Sequence, residues 1–166
     1  MSIEKSVHFF VGLLIFSANL HAAEVKHLKE IDNQEIEQWL SQPRGVTRSM
    51  RPESRALEFQ VNFDFNSHKV SADDQYQIKR LANVIRAKSR SDQRFTVEGH
   101  TDRKGSHEYN LALSTRRANE VKSILMQEGI EDARLSAIGK SFTDLINREQ
   151  PFSGENRRVR VVLSTK

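Results

Sequence analysis

Between Val97 and Ala118 the chain gathers side chains able to do chemistry: His100, Asp102, Ser106, His107, Asn110, Arg116 and Arg117, within the run VEGHTDRKGSHEYNLALSTRRA. Nucleophilic catalysis needs a hydroxyl or thiol with a base aimed at it and a third group orienting that base. Ser106 and His107 are neighbours, but adjacency in a turn aims neither at the other, and no Gly-x-Ser-x-Gly run is present. Glycoside hydrolysis needs two carboxylates across a cleft; Asp64 and Asp102 both fall at strand ends, so spacing alone leaves that open. His100 and Asp102 have a His-x-Asp spacing that suits zinc or iron. No third ligand accompanies them and no His-Glu-x-x-His helix follows, so no metal is expected. A carboxylate beside a guanidinium makes a different kind of site. Asp102 just after a strand and Arg117 in the first turn of a helix match a zwitterion, the guanidinium offering paired hydrogen bonds to its carboxylate. Free N–H groups at that helix start would favour the same anion. An internal Asp102–Arg117 salt bridge also accounts for the pair. Adjacent helical residues point about 100° apart, so one of Arg116 and Arg117 can face such a pocket and not both.

These residues need elements to hold them. Leu57, Phe59, Val61, Phe63 and Phe65 alternate with Glu58, Gln60, Asn62 and Asp64, and a period of two predicts a half-buried strand over 57–65. Tyr76, Ile78, Leu81, Ala82 and Ile85 follow at helical spacing, with Ser71 as N-cap. RFTVEG reads as a strand. ALSTRRANEVKSILMQEG reads as a second helix, with Ser114 as N-cap, Ala118, Val121 and Leu125 as its apolar stripe, and Gly129 closing it. RLSAIG and NRRVRVVLS are two further strands, separated by the loop FTDLINREQPFSGE. The order β-α-β-α-β-β predicts an α+β, two-layer sandwich with two helices on one face of a four-stranded sheet.

The N-terminal part reads differently. MSIEKSVHFFVGLLIFSANLHAAEV opens with a short polar stretch, runs apolar from Phe9 to Ala18 and reaches small residues at Ala22 and Ala23, the layout of a secretory signal peptide over 1–23. The apolar run falls short of the roughly 20 residues a membrane span needs, so the exported protein is expected to carry no transmembrane segment. Residues 24–56 form an extension and linker. DNQEIEQWL has Ile36, Trp39 and Leu40 at helical spacing after Asp32 or Asn33 as N-cap, and SQPRGVTRSMRPESR has no periodicity. This extension is a candidate docking segment for an envelope protein partner. A formal charge of +4 leans only weakly toward anionic partners. Arg116, Arg117, Arg157, Arg158 and Arg160 lack interleaved aromatics for base stacking, which argues against nucleic acid. With no cysteine, the chain has no disulfide, no thiolate metal site and no cysteine nucleophile.

Four separated motifs, in order, carry a resemblance. FDFNS at 63–67, GHTDRKG at 99–105, YNLALSTRRA at 109–118 and NRRVRV at 156–161, with AIGKS around Gly139 between the last two, match the pattern of one family. Over residues 57–164 the chain resembles the OmpA-like peptidoglycan-binding domain, also found in Pal-type and MotB-type proteins. The resemblance implies a non-catalytic domain over 57–166 that needs no cofactor. It would bind peptidoglycan through the diaminopimelate of the stem peptide and anchor the protein to the cell wall in the periplasm, with the outer membrane as a further location. It assigns the ligand's ammonium to Asp102 and its carboxylate to Arg117, and brings Asn110, Asn66, Asp64 and Arg157 to the same mouth; Asp64 and Asn110 also suit a role in tying loops together. The runner-up is an adaptor docking on an envelope, motility or secretion complex, with wall binding secondary. The eight-stranded outer-membrane barrel of larger relatives, with strands of about ten residues, does not fit in this chain. Any membrane link is therefore expected from residues 24–56 or a free face.

Overall fold

Strand β5 (Val159–Thr165) lies at the centre of the sheet, and its inner face carries Val159, Val161 and Leu163, all buried. It pairs antiparallel with β2 (Arg55–Phe59) on one side and with β3 (Gln93–Gly99) on the other. β4 (Leu135–Gly139) adds in parallel to β3, and β1 (Val25–Leu28) adds in parallel to β2, giving the order β1-β2-β5-β3-β4. The computed structural model describes residues 25–28, 32–41, 55–59, 61, 63 and 67–165. The expected signal peptide over 1–23, linker residues 42–54, Asp64 and Asn66 lie outside the described residues.

The mixed sheet-and-helix fold is as expected, but among the described residues the sheet has five strands rather than four, because β1 from the extension joins its edge. Three described helices share the core rather than two. Helix α1 (Asn33–Ser41) starts where the Gln34 N–H donates to Asp32 Oδ1 at 2.9 Å, which satisfies one of the free donors of its first turn. It buries Ile36, Trp39 and Leu40, and Trp39 meets Phe95 of β3 with ring centroids 6.2 Å apart. Buried Gln93 donates to the Leu40 carbonyl at 3.2 Å, closing the end of α1 against the sheet.

Helix α2 (Ala72–Lys88) is capped by Ser71, whose hydroxyl accepts the Asp74 N–H, and buries Ile78, Leu81, Ala82, Val84 and Ile85. Tyr76, read as part of its apolar face, is exposed instead. Helix α3 (His107–Gln127) starts earlier than expected. Its N-cap is Ser106, which accepts the Tyr109 N–H at 3.1 Å, and not Ser114. The early turns of α3 turn Asn110, Ser114 and Arg117 inward, so polar residues occupy positions that an apolar pattern would mark. At the other end Gly129, at φ +92°, takes the left-handed turn. There the Ile130 N–H reaches the Leu125 carbonyl and the Gly129 N–H the Met126 carbonyl, with Ile130 buried as the accompanying apolar contact.

The strand expected over 57–65 ends as a ladder at Phe59, because its partner β5 begins at Val159 and the register pairs those two residues. Beyond that point Val61 is buried and Phe63 makes a single antiparallel bridge to Val70.

Candidate ligand-binding site

Two glycines in register set the height of α3 above the sheet. Gly99 of β3 pairs with Gly139 of β4. A Cβ at Gly99 would collide with the Ser114 carbonyl, and one at Gly139 would sit 2.6 Å from the Thr115 backbone nitrogen. With both Cβ atoms absent, α3 packs backbone-close at Ser114 and Thr115, one turn before Arg117. The loop after β4 is fixed to the same point: the Ser141 N–H donates to Ser114 Oγ at 3.0 Å, and the Ser141 hydroxyl to the His107 carbonyl at 3.3 Å. Ser141 holds φ +51°, a left-handed conformation that costs a non-glycine residue energy and persists here under those two bonds.

Asp102 lies three residues past the end of β3, on backbone tied at nearly every step. His100 N–H reaches the Arg158 carbonyl at 3.0 Å, Thr101 N–H the Ser141 carbonyl at 2.9 Å, and Arg103 N–H the Pro151 carbonyl at 2.9 Å. The Asp102 carboxylate is 8% exposed by residue. Its Oδ1 accepts the Lys104 N–H at 3.0 Å and its Oδ2 accepts Arg157 Nη1 at 2.7 Å. Arg157 stands just before β5, and the Gly99↔Val159 register of β3 and β5 carries the two chain segments onward side by side until Asp102 and Arg157 meet. The Arg157 side chain is still 49% exposed. Each carboxylate oxygen has a second lone pair, so Asp102 keeps acceptor capacity for a further donor.

Arg117 is the unusual member. It lies in the third turn of α3, so the start of the helix is not at hand to favour an anion beside it, contrary to the expectation of a first-turn position. It is 6% exposed, while Arg116 beside it faces solvent. Its Nε donates to the Ser67 carbonyl at 3.3 Å and its Cζ lies 4.5 Å from the centre of the Phe63 ring. The alternative read for the pair, an internal Asp102–Arg117 salt bridge, is not formed: Asp102 pairs with Arg157, and among the described residues no carboxylate makes an ion pair with Arg117. Burial pushes the Arg117 guanidinium below its ordinary value and the nearby Arg157 charge pushes it further, while Tyr109 and Asp102 act the other way.

Asn110 is buried and donates from Nδ2 to the Lys104 carbonyl at 2.9 Å, which holds the turn through Gly105 (φ +98°) between Asp102 and α3. Its side chain thus acts on the loop, the second of the two roles read for it. Asp64 and Asn66 lie outside the described residues, so their place at the mouth is not seen. The sequence reading missed Tyr109, Phe63 as the ring under Arg117, and the Ser67 carbonyl. Phe63 and Ser67 bound the quoted FDFNS run and Tyr109 opens YNLALSTRRA, so all three stood within recognised motifs. Ser106 Oγ serves as the cap of α3, and His107 packs edge-on against Phe142 with centroids 5.4 Å apart, so the two adjacent residues do separate structural work. His100 is fully buried, its Nε2 3.8 Å from Glu98 Oε2, whereas Asp102 faces Arg157. Among the described residues no group of three metal-binding side chains forms.

A profile described as the OmpA family matches residues 62–159. The chain is similar to outer membrane porin F of Pseudomonas aeruginosa, 42% identical over 84 residues, covering 50% of this chain and 23% of the porin. It is also similar to the peptidoglycan-associated lipoprotein of Agrobacterium fabrum, 34% identical over 128 residues, covering 72% of this chain and 70% of that protein. Among solved structures, the peptidoglycan-associated lipoprotein of Burkholderia pseudomallei superposes with a TM-score of 0.55 at 28% identity, covering 63% of this chain and 88% of that one. The chain thus spans less than a quarter of the length of the porin it matches.

Proposed function

The chain belongs to the OmpA family, and on that premise we propose that it binds peptidoglycan non-covalently through the diaminopimelate of the stem peptide, anchoring the protein to the cell wall in the periplasm. The observation that carries this reading is a buried guanidinium, Arg117, that makes no ion pair with a carboxylate among the described residues and whose pKa is pushed down by burial and by the charge of Arg157. A ligand carboxylate at Arg117 supplies the missing opposite charge and receives charge-assisted hydrogen bonds. The ligand ammonium goes to Asp102, sharing it with Arg157 or displacing that half-exposed side chain. Asp64 and Asn66 complete the mouth in this reading. Residues 57–166 are the binding domain, and residues 24–56, whose β1 and α1 pack onto the same sheet and core, are its support as well as a candidate surface for an envelope partner. Binding involves no bond-making step and no cofactor.

Co-sedimentation with purified sacculi tests the proposal. The wild-type protein is expected in the pellet, and Asp102→Ala and Arg117→Ala in the supernatant with unchanged circular dichroism. Pelleting of both variants at the wild-type level would refute the site.

A further inference from the structure

The loop between β4 and β5 is tightly built. Buried Asn156 donates from Nδ2 to the Asn147 carbonyl at 3.2 Å and the Gln150 carbonyl at 3.0 Å, and its Oδ1 accepts the Asn147 N–H at 3.0 Å. Asn147 in turn accepts the Gln150 N–H at 2.8 Å, and the Ser153 N–H closes on the Gln150 carbonyl at 2.9 Å. These bonds fix the loop's shape. At its tip Phe152 stands 65% exposed, the most exposed of the large apolar side chains among the described residues. A loop held in shape that presents an aromatic ring to water forgoes burial worth roughly 1.5–3 kcal/mol.

The position of that ring gives it a use. Pro151, directly before it, accepts the Arg103 N–H at 2.9 Å, and Arg103 directly follows Asp102. Five residues after Phe152, Arg157 binds Asp102 at 2.7 Å. The tip is therefore fastened on one side to the backbone next to Asp102 and on the other, through Arg157, to the Asp102 carboxylate. Apart from Ile146, Pro151 and Phe152 itself, residues 146–156 carry polar side chains or none, and Arg103 and Lys104 across the junction are exposed cations. Apolar area this small is well short of the several hundred Å² typical of a protein-docking patch. One exposed ring set among hydrogen-bonding groups instead fits the face of a pyranose, whose axial C–H bonds carry partial positive charge toward the negative face of the ring while its hydroxyls and acetamido groups meet polar neighbours.

We propose that Phe152 is a sugar-stacking platform at the rim of the site, which engages a glycan ring next to the stem peptide while Asp102, Arg117 and Arg157 hold the peptide's charged end. The inference rests on the peptide-binding reading and adds a second contact to it. It makes the site a reader of the branch point, peptide plus sugar, rather than of the peptide alone.

The test is calorimetric titration of the full chain with two probes, the diaminopimelate stem peptide alone and the same peptide joined to its disaccharide. Wild-type protein is expected to bind the disaccharide-peptide about three- to tenfold more tightly, a gain of the size aromatic contacts give. Phe152→Ala should lose that gain and keep the affinity for the bare peptide, and Phe152→Trp should keep both. A sugar gain that survives Phe152→Ala, or no gain in the wild type, overturns the platform while leaving the peptide site standing. No binding of either probe by the wild type overturns the peptide site and the platform together.

Discussion

Two charged clusters sit near the same end of β3 and β5, and they treat their guanidiniums in opposite ways. In the first, Glu98 faces Lys140 at 3.5 Å and Arg160 at 3.7 Å, and Asp144 takes Arg160 at 3.1 Å and Arg158 at 3.5 Å. Arg158, its side chain 4% exposed, also donates to the Asp144 carbonyl at 3.0 Å. Every cation there has an acid. In the second cluster Asp102 is engaged by Arg157, and Arg117 rests on a ring and a backbone carbonyl. A buried charge with its partners in place serves the fold, whereas one buried without an opposite charge costs stability and is ready to gain from a ligand that supplies it. The difference separates a structural ion network from the proposed binding site, although both are made of the same residue types.

Substitutions should divide along that line. The largest effect on the fold is expected for Arg158→Ala, which strips a buried cation from Asp144. A loss of about 2–3 kcal/mol, or roughly 10 °C in Tm, should show in thermal melts, with ligand affinity of the remaining folded protein little changed. Arg117→Ala should do the reverse. It removes a desolvated charge, so Tm should stay within a few degrees, while affinity for stem peptide falls about one to two decades in titration. A large Tm loss with intact binding would erase the distinction between the clusters.

The pH dependence sharpens it further. Burial lowers the His100 pKa below its ordinary 6.5, with Glu98 opposing and Arg158 reinforcing the shift. The unfolded chain therefore binds a proton that the folded chain refuses, and stability present above 6.5 is lost as the pH falls below it. Burial pushes the Glu98 carboxyl up, but His100, Lys140 and Arg160 together bring it below 4.5, so a second loss in the same direction follows in stronger acid. Melts should show Tm declining as pH drops through the first window, and His100→Asn should flatten that slope. The charged groups of the proposed ligand site include no histidine, so affinity should hold through the same window while the protein stays folded. The smallest effect is expected for Arg116→Ala. Its exposed side chain should leave both Tm and affinity within a factor of about two.

The sequence made the frame legible where side chains follow a period. The strands around Phe95 and Val161, the apolar face of α2, the Ser71 cap and the Gly129 stop could all be read from spacing. It misled where inward-facing residues are polar. Asn110, Ser114 and Arg117 occupy the buried face of α3, so its apolar stripe begins late and the helix start was placed near Ser114 instead of at Ser106. The same displacement put Arg117 in a first turn it does not occupy. Pairing across the sheet was also hidden. Nothing local to Asp102 marks Arg157 as its partner, since their meeting depends on the antiparallel register of β3 and β5. The edge strand β1 has only four residues, too few for a pattern. The motif residues themselves could be named only through the resemblance, and of them the structure joins Asp102 to Arg157 directly.

The central claim is that Arg117, which has no acid partner among the described residues, lies buried so that a ligand carboxylate can take that place. Calorimetric titration of the protein with three stem peptides tests it most directly: one with free diaminopimelate, one with that carboxylate amidated, and one with lysine at the position. The free form should bind tightest. The other two, which leave the guanidinium without its anion, should each be weaker by about one to two decades. Equal affinity for all three would contradict the account.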